Sequence, residues 1–503
     1  MDSLMTALMM LAAPAALMAV MGGTLFGILV GALPGLGSVL GITVILPFTY
    51  MLDQTTSIAL LLGTYCGSVY GGSISAILIN TPGTPQSAAT VLDGYPMARS
   101  GRPALALGWA TVSSTFGGLL ACGVLIVAAP ALARFGLRFG PIEYFALGLF
   151  ALSCIVSVAR ESLLKGVLAG LFGLFLATVG QDPVTGAMRF DYGFFELSAG
   201  VSLVPLLVGL FAVSEVLWRI AGPAEPGGAS IMKAGFELPS LAELRLRFWL
   251  MVKSALIGTG IGTLPGIGAT AASLVSYADA KRTSPRRDNF GRGEPDGIVA
   301  SESANNAVTA GALVPTLSLG VPGDPVTAVM LGALTIQNIT PGPRLFSENG
   351  DLVTYLFLAL IAVNLAMFVL GALLAPAFSR LLKLPEPLLM ASVVVLVTVG
   401  TYSVNSSAFD LGIVLLAGLV GFVLRWLAFP LAPVVIGFVL SPMIEGSLRQ
   451  GMILTGDNIW AFGASPIAAV LFVLTGLFLL WPLYGWWRGR QRSGTGVHPV
   501  SGD

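Results

Sequence analysis

The chain has 503 residues, 55 % of them hydrophobic and only 10 % charged, whereas a soluble protein of this size carries roughly 25 % charged residues. Its formal net charge is zero, so there is no electrostatic case for nucleic acid as a partner. The single histidine, His498, sits in a polar tail, leaving neither a Ser-His-Asp triad nor His-ligated zinc a candidate.

With a mean hydropathy of +0.88, the composition is that of a polytopic membrane protein in contact with a lipid bilayer. The apolar runs are about 14 to 29 residues long without period-two alternation, so the expected fold class is all-α. No basic segment precedes the first apolar stretch, which argues against a cleaved leader. In chain order, a Gly- and Pro-rich block covers 5–98, and single runs follow at 104–132, 141–159, 166–180 and 197–218. A second broken block covers 248–340, followed by runs at 352–378, 387–401, 411–424, 427–441 and 466–487. That amounts to about 11–12 membrane segments. Cys66, Cys122 and Cys154 lie within apolar stretches and read as small packing residues.

If "RGRQR" near the C-terminus is cytoplasmic and each clear run crosses once, nineteen of the 25 Lys and Arg fall on the cytoplasmic side and five outside. Arg160 and Lys233 are among the nineteen, and Lys253 stays within an apolar segment, from which it can snorkel to the interface. The expected organisation is a first transmembrane repeat at 1–220, a cytoplasmic linker at 221–247, a second repeat with one extra helix at 248–487, and a cytoplasmic tail at 488–503.

The two broken blocks carry paired motifs. "GALPGLG" at Gly31–Gly37 is echoed by "GTLPGIG" at Gly262–Gly268, an offset of 231. "NTPGTPQS", with Asn80, Thr81, Pro82, Gly83, Thr84 and Ser87, is echoed by "VPGDP", so that Pro82 and Gly83 fall on Pro322 and Gly323 at an offset of 240. Two motifs in the same order at nearly the same separation mark an internal repeat. An odd number of crossings separates the copies, and the link "LDQTTS" in the first copy lacks the basic residues of its counterpart "KRTSPRRDNFGRGEPDG". The expectation is two inverted-topology repeats with Pro/Gly-broken helices and re-entrant hairpins.

Helix breaks at bilayer depth are costly unless the freed groups find partners or line a polar cavity. Proline ends the hydrogen-bond ladder, and glycine lets the chain turn and a ligand approach the backbone. A new helix start offers free N–H groups and a partial positive charge, which suits a carboxylate substrate at Asn80, Thr81, Pro82, Gly83, Thr84, Ser87, Pro322 and Gly323. Carbonyls around Gly35 and Gly266 suit a small coupling ion.

The segment "SESANNAVT" places Ser301, Glu302, Asn305, Asn306 and Thr309 ahead of the second break, and Asn305 and Asn306 are the candidate ligands among them. Buried amides can donate to a carboxylate or give a carbonyl to Na⁺, or they can bridge neighbouring helices. Asp324, which replaces Thr84 in the second copy, either binds a cation or proton for coupling or caps the helix it begins. Na⁺ at Asn305 and Asp324 is the candidate metal site, Na⁺ or H⁺ the candidate coupling ion, and no cofactor is expected.

The motifs "GGSISAILINTPGTPQSAATVLDGYPMARSGRPALALG", "SANNAVTAGALVPTLSLGVPGDPVTAVMLGAL" and "ITPGPRLF", with the two already quoted, resemble the large membrane subunit of the bacterial tripartite tricarboxylate transporters. The resemblance covers nearly the whole chain. It implies a multi-pass subunit of the bacterial inner membrane, partnered by a small membrane subunit and a periplasmic solute-binding protein. It also implies import of citrate-like di- or tricarboxylates on an ion gradient. A channel is the alternative, but two half-sites in one chain favour alternating access. An intramembrane aspartyl protease would need glycine where Val321 stands, and no second intramembrane aspartate faces Asp324, so no enzyme is expected.

Overall fold

The computed structural model describes residues 2–158, 162–182, 185–222, 232, 234–266 and 268–493. Arg160, Lys233, residues 223–231 of the expected linker and 494–503 of the expected tail lie outside them.

The first half runs α1 (Asp2–Ala12), α2 (Pro14–Ala32), α3 (Gly37–Thr49), α4 (Gln54–Ile79), α5 (Ala88–Arg99), α6 (Pro103–Gly136), α7 (Pro141–Val158), α8 (Leu163–Leu176), α9 (Leu203–Leu207) and α10 (Ser214–Ala221). A π-turn at Val208–Val213 joins α9 to α10. The second half runs α11 (Leu241–Gly262), α12 (Gly268–Thr283), α13 (Pro295–Leu319), α14 (Pro325–Ile336), α15 (Pro343–Glu348), α16 (Gly350–Leu381), α17 (Glu386–Asn405), α18 (Ala408–Trp426), α19 (Leu431–Leu454) and α20 (Pro466–Ser493). Among the described residues the only strands are a hairpin, β1 (Gly180–Gln181) with β2 (Met188–Arg189). Among the described residues eight helical stretches are long and apolar enough to cross a membrane, and α3 and α14 are among six shorter apolar helices.

Several boundaries depart from the sequence expectation. α11 starts inside the expected linker because Ser240 and Glu243 form a capping box there. α8 stops at Leu176, ahead of a turn with Gly180 at φ 105°. α19 begins later and runs well past Ser441, since a long membrane helix accommodates Pro442. α20 extends into the expected tail.

Two compact units result, and they do not follow the sequential halves. One comprises Met1–Arg138 with Thr178–Leu427, the other Phe139–Ala177 with Ala428–Asp503. In the second unit, α7 and α8 from the first half pack on α19 from the second. Gly173 there lies against the Val434 carbonyl and Gly437 against that of Gly170. In the first unit the exchange is mirrored: α17 and α18 pack on the α9–α10 stretch, with Gly209 against the Val414 carbonyl.

The centre of the first unit is built from two glycine-seamed pairs. On α2, Gly27 and Gly31 lie so close to α4 that a Cβ would stand 2.5 Å from the Thr64 carbonyl and 2.1 Å from that of Ser68. On α11, Gly258 and Gly262 meet the Ala304 and Val308 carbonyls of α13 in the same way. These contacts repeat the offsets of 231 and 240 found between the motifs. Both partners advance together along the chain, so each pair is parallel. A core of Ile28, Tyr70, Ile74, Trp109, Ile298 and Met367 closes around them.

Candidate functional site

Each broken helix ends in the left-handed region, α4 at Asn80 (φ 61°) and α13 at Gly320 (φ 71°). In the first break the chain then climbs back, so that Gly83 N–H donates to the Gly72 carbonyl at 3.2 Å. In the second, Gly323 N–H donates to Thr316 Oγ1 at 3.3 Å, and its carbonyl accepts from Gly266 N–H at 2.8 Å. That bond joins the two motifs of the second half. In the first half, Gly31 and Gly83 meet, because a Cβ on Gly83 would stand 2.1 Å from the Gly31 carbonyl. A Cβ on Gly323 would stand 2.7 Å from Ala312 Cα. Protein backbone therefore fills the space beside both glycines, where the sequence suggested an approaching ligand.

After its break, each chain runs back along the other half's broken helix. α5 descends α13, with Thr90 Oγ1 3.1 Å from Ser301 Oγ and Asp93 beside Gly297. It ends at the 284–294 link, where Asp93 Oδ1 accepts backbone N–H groups of Gly291, Gly293 and Glu294 at 2.8–2.9 Å. Tyr277 donates its hydroxyl to Oδ2 at 2.8 Å. α14 runs along α4, from Asp324, which meets Tyr65, to Gln337, whose Nε2 donates to the Thr49 carbonyl and Ser57 Oγ. The segment α4–α5 thus leads from the 50–53 link to the 284–294 link, and α13–α14 leads back.

The two helix starts after the breaks differ electrostatically. At α14, Asp324 is an N-cap: Oδ1 accepts from Thr327 N–H at 2.7 Å and Thr327 Oγ1 at 2.9 Å, while Oδ2 accepts from the Tyr65 hydroxyl. That start already holds its own carboxylate. At α5 the 3₁₀ turn Pro85–Ser87 leads in, and neither Thr84 nor Ser87 gives a side-chain cap. Ser87 Oγ donates instead to the Thr84 carbonyl at 2.8 Å. Asn80 is exposed at the tip, Thr81 and Pro82 are half-buried, and Gly83, Thr84, Ser87, Pro322 and Gly323 are buried.

The asparagine pair divides. Asn306 bridges three helices, its Nδ2 donating to the Ser114 carbonyl at 3.0 Å and Asn364 Oδ1 at 3.2 Å. Asn305 is fully buried, yet neither its Oδ1 nor its Nδ2 has a hydrogen-bond partner. One turn away, Glu302 is also fully buried and accepts from Ser114 Oγ at 2.7 Å and from Thr90 Oγ1. Ser73 and Asn305 face it at longer range. Glu302 and Asn305 share a helix face at i, i+3, a spacing visible in the sequence that would have singled out Glu302.

Gly35 and Gly266 both take φ 85°. Gly266 meets Gly323 as described. Gly35 lies under the Arg219 guanidinium, whose NH2 donates to the Pro34 carbonyl at 3.4 Å and which is held by Glu215 (2.9 Å) and Glu386 (2.6 Å). The Glu215–Arg219 pair has a counterpart in Glu445–Arg449, at an offset of 230. At the start of α13, buried Arg247 pairs with Asp296 at 2.8 Å and lies over the Trp109 ring at 4.9 Å, while Arg286 pairs with Asp296 at 3.1 Å. Lys253 reaches Asp279, and this hydrogen bond holds the Asp279 carboxyl below its ordinary value.

Comparison with known proteins gives a consistent result. A model of the family described as "Tripartite tricarboxylate transporter TctA family" matches residues 17–436. An "Uncharacterized 52.8 kDa protein in TAR-I ttuC' 3'region" of Agrobacterium vitis is 38 % identical over 454 residues, 90 % of each chain. A second Agrobacterium vitis protein, from the "TAR-II ttuC' 3'region", is 35 % identical over 217 residues, 43 % of this chain and 90 % of its own. No solved structure matches.

Proposed function

Since the chain belongs to the tripartite tricarboxylate transporter TctA family, we propose that it is the large, inner-membrane subunit of an importer of citrate-like di- or tricarboxylates. An ion gradient drives it, a periplasmic binding protein delivers substrate, and a small membrane subunit completes the complex. The C-terminus and the 284–294 link face the cytoplasm, in keeping with the bias of Lys and Arg, and the 50–53 link faces the periplasm. The halves at 1–220 and 248–487 are inverted repeats that exchange access around the paired breaks.

The observation that carries this reading is the difference between the two helix starts beside an unpartnered amide. The start of α14 is filled by Asp324, whereas the start of α5 carries no side-chain cap, and the amide of Asn305 on α13 has no hydrogen-bond partner. The substrate carboxylate binds at Thr84–Ser87 with Asn305 Nδ2 as a donor. Asn80, Thr81, Pro82 and Gly83 form the mouth of that site, and Asn306, Pro322 and Gly323 fix the helices around it. Asp324 serves as cap and as the acceptor for Tyr65.

The test is uptake of labelled carboxylates by proteoliposomes holding the chain and its partners, with Asn305→Ala and Asn305→Asp compared. Aspartate loses the N–H donors and adds a charge facing the substrate, so it should raise the KM for carboxylate more than alanine does. Equal and wild-type KM values in both variants would remove Asn305 from the substrate site.

A further inference from the structure

Glu302 and Asp324 are both buried carboxylates, but only one is electrostatically complete. Asp324 sits at a helix N-terminus, where a backbone N–H and the partial positive charge of α14 stabilise an anion. Glu302 lies in the third turn of α13, and its neighbours are hydroxyl and amide groups: Ser73 from α4, Thr90 from α5, Ser114 from α6, and Asn305 from its own helix. The Tyr70 hydroxyl is engaged with Thr111 at 2.8 Å. No Lys or Arg is among these partners. An ionised carboxylate at this depth is too costly to stand without a counter-charge.

The neighbouring groups suit a small hard cation. A hydroxyl that donates its proton to a carboxylate keeps two lone pairs, so Thr90 and Ser114 can hold Glu302 and still face a cation. Asn305 Oδ1 is a buried neutral oxygen without a donor. Among the described residues no three His, Cys, Asp or Glu side chains converge, so the site offers one negative charge with neutral oxygens around it. That donor set matches a monovalent cation better than a divalent one.

We infer that Glu302, with Asn305 Oδ1 and the hydroxyls of Thr90 and Ser114, forms the Na⁺ site of this protein, in place of Asp324. As a coupling site it rests on the transport function proposed above. Thr90 belongs to the short helix whose start receives the substrate anion, so Na⁺ beside Glu302 offsets the repulsion that its carboxylate would otherwise exert on the substrate. Cation loading therefore precedes tight substrate binding. The Asn305 amide serves both, its oxygen toward the cation and its nitrogen toward the anion.

Binding is tested without transport, by thermal melting of the purified full chain in detergent, titrating NaCl against choline chloride at constant ionic strength. The wild type should show a saturable rise in Tm with Na⁺ that choline does not give. Glu302→Gln should melt independently of Na⁺, and should melt above the wild type in Na⁺-free buffer because the uncompensated charge is gone. Asn305→Ala should need roughly tenfold more Na⁺ for half-saturation, and it decides the matter if the Gln variant does not fold. A wild-type Na⁺ response in Glu302→Gln, or a wild type stabilised by acidification and not by Na⁺, overturns the site. A Na⁺ response lost in Glu302→Gln sustains the site even where no carboxylate is taken up, so the site and the transport function fail separately.

Discussion

Asn305 and Asn306 show what a side chain's angular position decides. Adjacent residues on a helix point about 100° apart, so one meets α6 and α16 while the other meets no partner, and sequence alone places both in the same polar stretch. Asp324 was legible as either cation ligand or cap, and the structure shows it capping α14. Asp324→Ala should lose the cap, about 1 kcal/mol, and leave the Tyr65 hydroxyl unpaired at a further ~1–3 kcal/mol. Asp324→Asn keeps the cap and should lose less. Thermal melting of both, with Tyr65→Phe in a double-mutant cycle, measures the coupling; additive losses would deny it. Asp53, the N-cap of α4, lies outside the membrane segments. Burial pushes its carboxyl up, but hydrogen bonds from Thr55 and Thr56 more than offset this and hold it below its ordinary 3.8. Its contribution is therefore present above that value and lost as the pH falls through the lower folded value. The Tm difference between wild type and Asp53→Asn should be constant from about pH 5 upward and shrink below about pH 4.

At the scale of elements, the helix breaks were legible because proline and glycine act through backbone rules that need no tertiary context. The glycine seams were not, since a helical glycine in contact and one facing lipid look alike in sequence. Gly27 and Gly258 pack against backbone carbonyls, whereas Gly22 and Gly260, on the same helices, have nothing within 4 Å of an added Cβ. Gly27→Ala and Gly258→Ala should therefore destabilise the protein. Gly22→Ala and Gly260→Ala should be neutral or stabilise it by about 0.5–1 kcal/mol, through helix propensity alone. Melting of the four variants checks this, and similar losses in all four would contradict the parallel pairs. The bounds of α8 and α19 escaped sequence reading because a hydropathy run marks lipid contact and not hydrogen bonding.

At the scale of the whole molecule, paired motifs in the sequence suggest a repeat, and the two glycine seams carry the same offsets, but the exchange of helices between halves was not legible. No local pattern announces that α19 packs on α7 and α8, or α17 and α18 on α9–α10, because those contacts join residues hundreds of positions apart. Opposite senses of α4–α5 and α13–α14 lead to a labelling prediction. Cysteines at Met51 and Asp288, both exposed, should be labelled from opposite sides of the membrane, against a background of three buried native cysteines. Labelling from the same side would contradict the inverted arrangement.

On the function we propose, one chain couples an ion gradient to carboxylate uptake through a site between its two breaks. The most direct test is the accumulation of labelled citrate in proteoliposomes that contain the chain, the small membrane subunit and the binding protein, under an imposed inward Na⁺ gradient. Citrate should accumulate above the external concentration, the accumulation should collapse when the gradient is dissipated, and it should be absent in Glu302→Gln. Citrate that merely equilibrates, with or without the gradient, would contradict it.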